Sequence, residues 1–180
     1  MKILHLGCGP HKLKSDKGKV VGLDIVDLPG VDVVHNLDKT PWPFKDNEFD
    51  SICAPHVIEH LHDTLPAIEE IWRITKPGGI VDIAVPHFSS PNAFGDPTHK
   101  SYFSLVSFDY FTENCDLNFY SNARFKIVEK VINIEIPRAK SLNKFLNRIF
   151  NHGRLKYFFE TFISRIFPIK EIIVKLKVIK

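Results

Sequence analysis

The first half of the chain contains five short apolar segments, and their succession limits the fold more than any other feature of the sequence. They are residues 2–6, 19–25, 31–36, 49–54 and 78–86. Most are continuous apolar runs, which is typical of parallel strands buried on both faces. Parallel strands are joined by crossovers, usually helical. The pattern therefore predicts an α/β fold with a doubly wound, mostly parallel sheet.

One crossover helix is predicted between the fourth and fifth segments. Asp63 or Thr64 can cap its first turn, and Pro66 is compatible with that turn. The sequence KPGG at residues 76–79 ends it. The apolar face of this helix consists of Leu65, Ile68, Ile71 and Trp72. A later segment, residues 124–136, predicts a further strand that is antiparallel at the far edge of the sheet.

A Gly-Cys-Gly turn follows the first predicted strand, and an aspartate ends the second. Gly7 and Gly9 let the backbone turn sharply and bring no Cβ toward a ligand. Asp24 is placed to accept hydrogen bonds from ribose hydroxyls at the carboxyl edge of the sheet. Either feature alone also fits a simple turn; together they indicate a nucleoside-containing cofactor. A dinucleotide is disfavoured, because the third glycine of G-x-G-x-x-G is replaced by Lys12 and Pro10 lacks an N–H.

The sequence resembles the class I S-adenosylmethionine-dependent methyltransferases, in particular the small type 11 group. The resemblance covers about residues 2–86 and places five blocks in the order of that family. The blocks are LHLGCGP (4–10), VGLDI (21–25), NLDKTPWPFKDNEFD (36–50), SICAPHVIEHL (51–61) and ITKPGGIVDIAVP (74–86). The resemblance implies a Rossmann-like methyltransferase fold and S-adenosylmethionine as the cofactor.

The resemblance also implies roles for individual positions. Those implied to contact the cofactor are Gly7, Cys8, Gly9, Asp24, Ile25, Asn36, Leu37, Ala54, Pro55 and His56. Asp24 would hold the ribose, Ile25 would pack on the adenine, and His56 would border the sulfonium. The sequence departs from the family at His5, where many members carry an acidic residue, and in a polar first crossover too short for the usual helix.

Three histidines are candidate catalytic bases, since histidine titrates near neutral pH. His56 follows the fourth strand, and His87 and His99 lie in a long segment after the fifth, residues 86–104. We expect this segment to be a substrate lid, and a purely structural loop is the alternative. Its expected aromatic wall consists of Phe88, Phe94, Tyr102 and Phe103. His87, Asp96 and His99 could also form a two-histidine, one-carboxylate metal site, but nothing requires a metal and none is expected.

The carboxyl-terminal region differs in charge from the rest. From Arg138 to Lys180 it carries eleven Lys and Arg against two Glu, whereas the whole chain has a net charge of +3. We therefore divide the 180 residues into a cofactor-binding domain, 1–137, and a basic amphipathic extension, 138–180. The extension is expected to contain two amphipathic helices, 141–152 and 154–167, followed by an exposed strand, VKLKVIK.

Three interpretations of this extension stay open. Its apolar stripes can pack on the domain or on a second copy as a homodimer, they can bind an anionic membrane surface, or the basic residues can bind nucleic acid. The last is disfavoured, because the basic residues alternate with apolar ones. Three scattered cysteines and the lack of a long apolar run favour a cytoplasmic protein, with peripheral contact to the inner membrane face if the second interpretation holds.

The predicted function is methyl transfer from S-adenosylmethionine to a small-molecule, sugar or lipid-linked acceptor. The histidines favour an oxygen acceptor, which needs a base. The alternative is a methyltransferase-like protein without turnover, which binds the cofactor or a partner; His5 and the short first crossover favour it. An oxidoreductase dependent on nicotinamide is a third and weaker candidate.

Overall fold

The computed structural model describes the backbone of residues 1–180 and the side chains of residues 1–117 and 119–180. A seven-stranded sheet forms its centre. The strands are β1 (Lys2–Leu6), β2 (Lys19–Asp24), β3 (Val33–Val34), β4 (Phe49–Pro55), β5 (Thr75–Pro86), β6 (Arg124–Ile134) and β7 (Ile169–Ile179). Their order across the sheet is β3-β2-β1-β4-β5-β7-β6. β1 to β5 are parallel, and β7 is antiparallel to both of its neighbours.

Four α-helices accompany the sheet. They are α1 (Thr64–Ile74), α2 (Pro91–Gly95), α3 (Lys140–Phe150) and α4 (Leu155–Phe158), which continues as a π-helical turn, Phe159–Ile163. Short 3-10 turns occur at Ile58–His60, Ser107–Phe111 and Asn118–Tyr120. Residues 7–18, all of them described, contain no helix, as the short polar crossover predicted. Among the described residues, no helix is long and apolar enough to cross a membrane.

The crossover helix α1 begins where the sequence predicted. The Asp63 side chain accepts a hydrogen bond from the main-chain N–H of Leu65, which satisfies one free donor of the first turn. Its buried face carries Ile68, Ile71 and Ile74 against a sheet whose central strands contribute fully buried Leu, Ile and Val. Burial of these side chains, at about 1.5–3 kcal/mol each, is the main stabilisation of the α/β layer.

The position of β7 corrects one prediction. The segment VKLKVIK, residues 174–180, was expected to form an exposed strand, but its residues 174–179 belong to β7, which lies between β5 and β6 and has Ile172, Val174 and Leu176 fully buried. The sheet therefore runs across the boundary predicted between residues 137 and 138. The structure does not confirm a separate carboxyl-terminal extension.

Helix α3 packs on the outer edge of the sheet through asparagine side chains. The side-chain oxygens of Asn143, Asn147 and Asn151 accept hydrogen bonds of 2.7–2.8 Å from main-chain N–H groups at residues 132–136. Their amide groups donate back to the carbonyls of the same residues. These contacts satisfy the free edge of β6, which would otherwise be open to pairing with another strand.

Candidate functional site

A cavity of about 480 Å³ lies at the carboxyl ends of β1, β2 and β4. Ligands of open α/β sheets bind at this edge. Six of the ten residues expected to contact the cofactor line it: Gly7, Asp24, Ile25, Asn36, Leu37 and His56. It is also lined by residues that the sequence did not single out for it, namely His35, Asp38, Val57, His60, Leu61 and Thr98.

The backbone after β1 makes room for this cavity. Gly7 has a φ of +62°, and a Cβ there would lie 2.7 Å from Cγ2 of Val57. Only glycine accepts both conditions without strain. Gly9 has a φ of +48°, and its N–H donates a hydrogen bond of 2.8 Å to Oδ2 of Asp24. Gly9 therefore acts on the cavity by orienting Asp24.

Asp24 is held from two sides and remains available to a ligand. Its Oδ1 accepts a hydrogen bond of 3.1 Å from the N–H of Val26, and its Oδ2 accepts the one from Gly9. Each carboxylate oxygen keeps a further acceptor position, so the pair can receive two neighbouring hydroxyls. Beside it, the side chain of Ile25 is 62% exposed and offers an apolar surface for a flat ring.

The opposite wall is fixed by hydrogen bonds within residues 36–42. Oδ1 of Asn36 accepts a hydrogen bond of 2.9 Å from the N–H of Asp38, which leaves it one free acceptor position. The carbonyl of Leu37 accepts a hydrogen bond of 3.1 Å from the indole of the buried Trp42. The main-chain N–H of Trp42 in turn donates to Glu70, which is paired with Arg73.

A second cavity, of about 640 Å³, adjoins the first and shares His56 and His60 with it. Its other lining residues are mostly polar: Glu59, Pro86, Asn92, Gly95, Asp96, Pro97, His99 and Lys170. Six of these lie in the segment 86–104, so the part of the chain expected to form a lid does line a cavity. The two histidines stand at the junction between the two spaces.

His56 has an environment that keeps it protonated. It adopts a φ of +50°, and its Nε2 lies 2.8 Å from Oε2 of Glu171 on β7. Its Nδ1 lies 3.3 Å from Oε1 of Glu59. The hydrogen bond to Glu171, together with the nearby carboxylate of Glu59, raises the pKa of His56 to about 9. A histidine that is protonated at neutral pH cannot accept a proton, which argues against His56 as the base and favours a role in positioning the cofactor.

His87 lines neither of these two cavities, which argues against it as the base. Its side chain is fully buried, and its Nε2 lies 2.9 Å from Oε1 of Glu160. Its Nδ1 accepts a hydrogen bond from the N–H of Ser89. Because both ring nitrogens have internal partners, His87 fixes the segment 86–104 to the π-helical turn. The metal site considered for His87, Asp96 and His99 is therefore not assembled.

His99 is the remaining predicted histidine, and it lines the second cavity. Its Nδ1 lies 3.0 Å from the carbonyl of Ala93, which can only accept, so Nδ1 carries the proton. The lone pair of the neutral ring is then on Nε2. His60 stands close by, with the two ring centroids 4.7 Å apart.

Other expected contacts lie outside both cavity linings. Ala54 is fully buried and the side chain of Cys8 is buried, while Pro55 and Gly9 are adjacent to lining residues. The predicted aromatic wall is wrong: Phe103 is buried against Phe108, and the exposed Phe94 and Tyr102 stack on each other. The signal that could have identified His60 is its position one turn after the fourth strand, beside Glu59.

Comparisons with known proteins agree with this architecture. Residues 4–83 match a family model described as "Methyltransferase domain". A demethylmenaquinone methyltransferase of Streptomyces avermitilis is 43% identical over 54 residues, which are 30% of this chain and 22% of that protein. The chain thus spans about a fifth of the length of this curated relative.

Solved structures match nearly the whole chain. An S-adenosylmethionine-dependent methyltransferase from Archaeoglobus fulgidus superimposes with a TM-score of 0.61 and 16% identity, over 98% of this chain and 85% of the other. The [4+2]-cyclase SpnF superimposes with a TM-score of 0.60 and 14% identity, over 98% and 74%. Residues 4–83 are therefore similar to this methyltransferase family, and the chain as a whole has the Rossmann-like fold of solved methyltransferase structures.

Proposed function

We propose that this protein binds S-adenosylmethionine in the cavity beside Asp24 and methylates a polar acceptor held in the adjoining cavity. The observation that carries this proposal is the arrangement of two cavities that meet at His56 and His60 on the carboxyl edge of the sheet. A transfer reaction needs a donor and an acceptor side by side in such a place. The sequence match to the methyltransferase domain supports the assignment.

The residues present fit the cofactor. The Asp24 carboxylate has free acceptor positions for ribose hydroxyls, Ile25 offers an apolar surface for adenine, and Asn36 keeps an acceptor position for an exocyclic amine. When bound, S-adenosylmethionine supplies a methyl group whose bond to sulfur breaks, with the electron pair going to sulfur, as the acceptor forms its new bond. The protein's part is to align the acceptor and to exclude water.

The polar lining of the second cavity favours an acceptor with hydroxyl groups. Asn92, Asp96 and His99 can hydrogen-bond such groups, and Lys170, paired with Glu135, adds positive charge nearby. An oxygen acceptor must lose its proton during the reaction. Of the three predicted histidines, His99 lines this cavity and has a free lone pair on Nε2. His99 can therefore take this proton, which supports O-methylation even though His56 is already protonated.

The surface of residues 140–167 supports a lipid-linked acceptor presented at a membrane. Helix α3 packs on the domain through its asparagines and through Leu146 and Phe150, whereas its other apolar residues are exposed. The exposed apolar side chains of this surface are Leu142, Phe145, Ile149, Leu155, Phe158, Phe162, Ile166 and Phe167. Exposed Lys140, Lys144, Arg148, Arg154 and Arg165 accompany them, and none of these five has an ion pair among the described residues. Basic and aromatic-rich surfaces of this kind bind anionic bilayers.

Calorimetric titration of the full chain with S-adenosylmethionine and S-adenosylhomocysteine tests the cofactor assignment. We expect saturable binding, and methyl transfer from labelled cofactor into an extract fraction that contains polar or lipid-linked acceptors. Absence of binding at millimolar cofactor would overturn the proposal. Binding without transfer to any fraction would favour the second candidate, a cofactor-binding protein without methyl transfer; the fold is also that of a [4+2]-cyclase, so the fold alone does not fix the reaction.

Vesicle flotation tests the membrane surface separately. We expect the chain to float with phosphatidylglycerol vesicles and much less with phosphatidylcholine vesicles, and added salt should weaken the interaction. The double variant Phe162→Ser, Ile166→Ser should remain in the dense fraction, while Val128→Ser, on an exposed face of β6, should float like the parent. Full recovery in the dense fraction, with sedimentation as a dimer, would assign the surface to a second copy instead.

A further inference from the structure

Three side chains from two separate segments converge in the wall between the two cavities. Glu59 and His60 belong to the turn after β4, and His99 belongs to the loop after α2. One potential ligand atom from each lies within 4.8 Å of the other two. The main chain holds the segments together, because the N–H groups of Lys100 and Ser101 both donate to the carbonyl of Glu59, at 2.7 and 3.1 Å.

The Glu59 carboxylate is the least satisfied group in this cluster. Its residue is 1% exposed, and neither side-chain oxygen has a hydrogen-bond partner in the described part of the structure. The nearest charge is Nδ1 of His56, 3.3 Å from Oε1, at a geometry that forms no hydrogen bond. A buried carboxylate without hydrogen bonds is costly unless a cation completes it. Oε2 makes no hydrogen bond either, so the carboxylate keeps a position for a second cation.

The two histidines are already held in the tautomer that ligation requires. Nδ1 of His99 donates to the carbonyl of Ala93, so its Nε2 has the lone pair. The Thr98 hydroxyl donates to Oδ1 of Asp96, at 2.6 Å, and its oxygen therefore accepts from Nδ1 of His60, at 2.8 Å. His60 is thus also free at Nε2. A hydrogen bond from the second ring nitrogen to a carbonyl or a hydroxyl is the usual support of a metal-binding histidine.

We propose that Glu59, His60 and His99 bind a divalent transition-metal ion such as Zn²⁺. Two imidazoles and one carboxylate suit zinc or another first-row ion better than Mg²⁺, which prefers oxygen ligands and retained water. Zinc–ligand distances of about 2.0–2.2 Å mean that binding draws the three atoms together. The exposed loop that carries Thr98 and His99 can supply this movement, and three protein ligands leave a coordination position open.

The open position gives the ion a role that rests on the proposed function. His60 lines both cavities, so the ion lies where an acceptor oxygen would meet the donor. Coordination of an acceptor hydroxyl lowers its pKa, and the proton passes to solvent before the oxygen forms its bond to the methyl carbon. This assigns His99 to ligation rather than to proton transfer, and it gives the buried charge of Glu59 a partner.

Titration of the chelator-treated full chain with Co²⁺ and Zn²⁺, without cofactor, tests the site. We expect one ion per chain, visible-region absorption of low-coordinate Co²⁺, and displacement of Co²⁺ by Zn²⁺. The cobalt spectrum should lack a thiolate charge-transfer band, which separates this site from Cys8, Cys53 and Cys115. Because the titration contains no S-adenosylmethionine, its result is independent of cofactor binding and of turnover.

Variants decide between ligation and unspecific binding. His60→Asn and Glu59→Gln should each weaken metal binding at least about tenfold. Substitution of a residue that only hydrogen-bonds a ligand already weakens metal binding by about that factor. Thr98→Val, which removes the acceptor of Nδ1 of His60, should weaken it about 10–100-fold. His62→Asn, an exposed histidine two residues away, is the matched control and should bind like the parent.

Glu59 is buried, so its variant could fail to fold; His60 is partly exposed, and its variant keeps the test decisive. Equal binding by the parent and His60→Asn, or a thiolate spectrum, would overturn the metal assignment. Metal binding without any S-adenosylmethionine binding would instead overturn the proposed function and leave the metal site intact.

Discussion

The main-chain N–H of Gly9, in the turn after β1, donates a 2.8 Å hydrogen bond to Oδ2 of Asp24, at the end of β2. This contact fixes the carboxylate at the rim of the cavity while its remaining acceptor positions stay free. The glycine-rich turn after β1 thus orients Asp24, the residue proposed to hold the ribose, in addition to making space.

Asp24→Ala should weaken S-adenosylhomocysteine binding by about 10–100-fold, since two hydrogen bonds to a charged acceptor, at about 1.5–3 kcal/mol each, are lost in part. Calorimetric titration measures this effect. Asp27→Ala, an exposed aspartate three residues later, is the control and should bind like the parent. Unchanged affinity of the Asp24 variant would place the ribose elsewhere.

Gly7→Ala should destabilise the fold by about 1–3 kcal/mol or more, because the φ of +62° is strained for alanine and its Cβ would contact Val57 at 2.7 Å. Urea unfolding followed by circular dichroism measures it. Adding Val57→Ala should recover the stability lost to the steric clash with the new Cβ. It should not recover the stability lost to the positive φ. Gly95→Ala, whose Cβ would meet nothing within 4 Å, should be close to neutral.

Glu171→Gln should lower the pKa of His56 from about 9 toward its ordinary value near 6.5, since Glu171 is the largest cause of the increase. A raised histidine pKa stabilises the fold fully below pH 6.5, and this stabilisation is lost as the pH rises through 9. NMR titration of His56 with a chelator present, and urea unfolding between pH 6 and 10, measure both effects. The free energy of unfolding of the variant should decline less than that of the parent between pH 6 and 10. An unchanged titration of His56 would mean that Glu171 does not pair with it in solution.

Glu70→Ala should destabilise the protein by about 2–4 kcal/mol, because it leaves Arg73 and the N–H of Trp42 without their buried partner. Burial raises the pKa of Glu70, but hydrogen bonds from Arg73 and Trp42 outweigh it and give a net decrease. Stability should therefore fall as the pH drops below the unfolded-state value and through the lowered one. Thermal unfolding measures it, with the exposed Asp16→Ala as a control; equal stability of both variants would contradict the expectation.

The sequence predicted those parts of the fold that depend on local pattern. The strands from 2 to 86, the capping of α1 by Asp63, and the turn at Gly7 and Gly9 each follow from neighbouring residues. The strand predicted over residues 124–136 also lies at the edge of the sheet, where it is antiparallel to its neighbour β7.

The errors concern contacts between residues far apart in the chain. VKLKVIK alternates like a half-exposed strand, and nothing local says that β7 lies between β5 and β6. The pairing of His87 with Glu160, 73 residues away, removed a candidate base in the same way. Glu171 lies 115 residues after His56, and its hydrogen bond raises the pKa of His56, which argues against a role as a base. Local spacing cannot anticipate such partners, since they are set by the packing of the whole sheet.

The insertion of β7 has a consequence for the order of assembly during translation. Until the ribosome has added residues 169–179, no strand lies between β5 and β6. The edge of β6 that later pairs with β7 is then free to pair with an incorrect strand. Glu171 arrives with the same strand, so a nascent chain acquires the charge partner of His56 only at that step. Completion of the sheet and pairing of His56 with Glu171 are thus one event, and a chain stalled before it should be a target for chaperones.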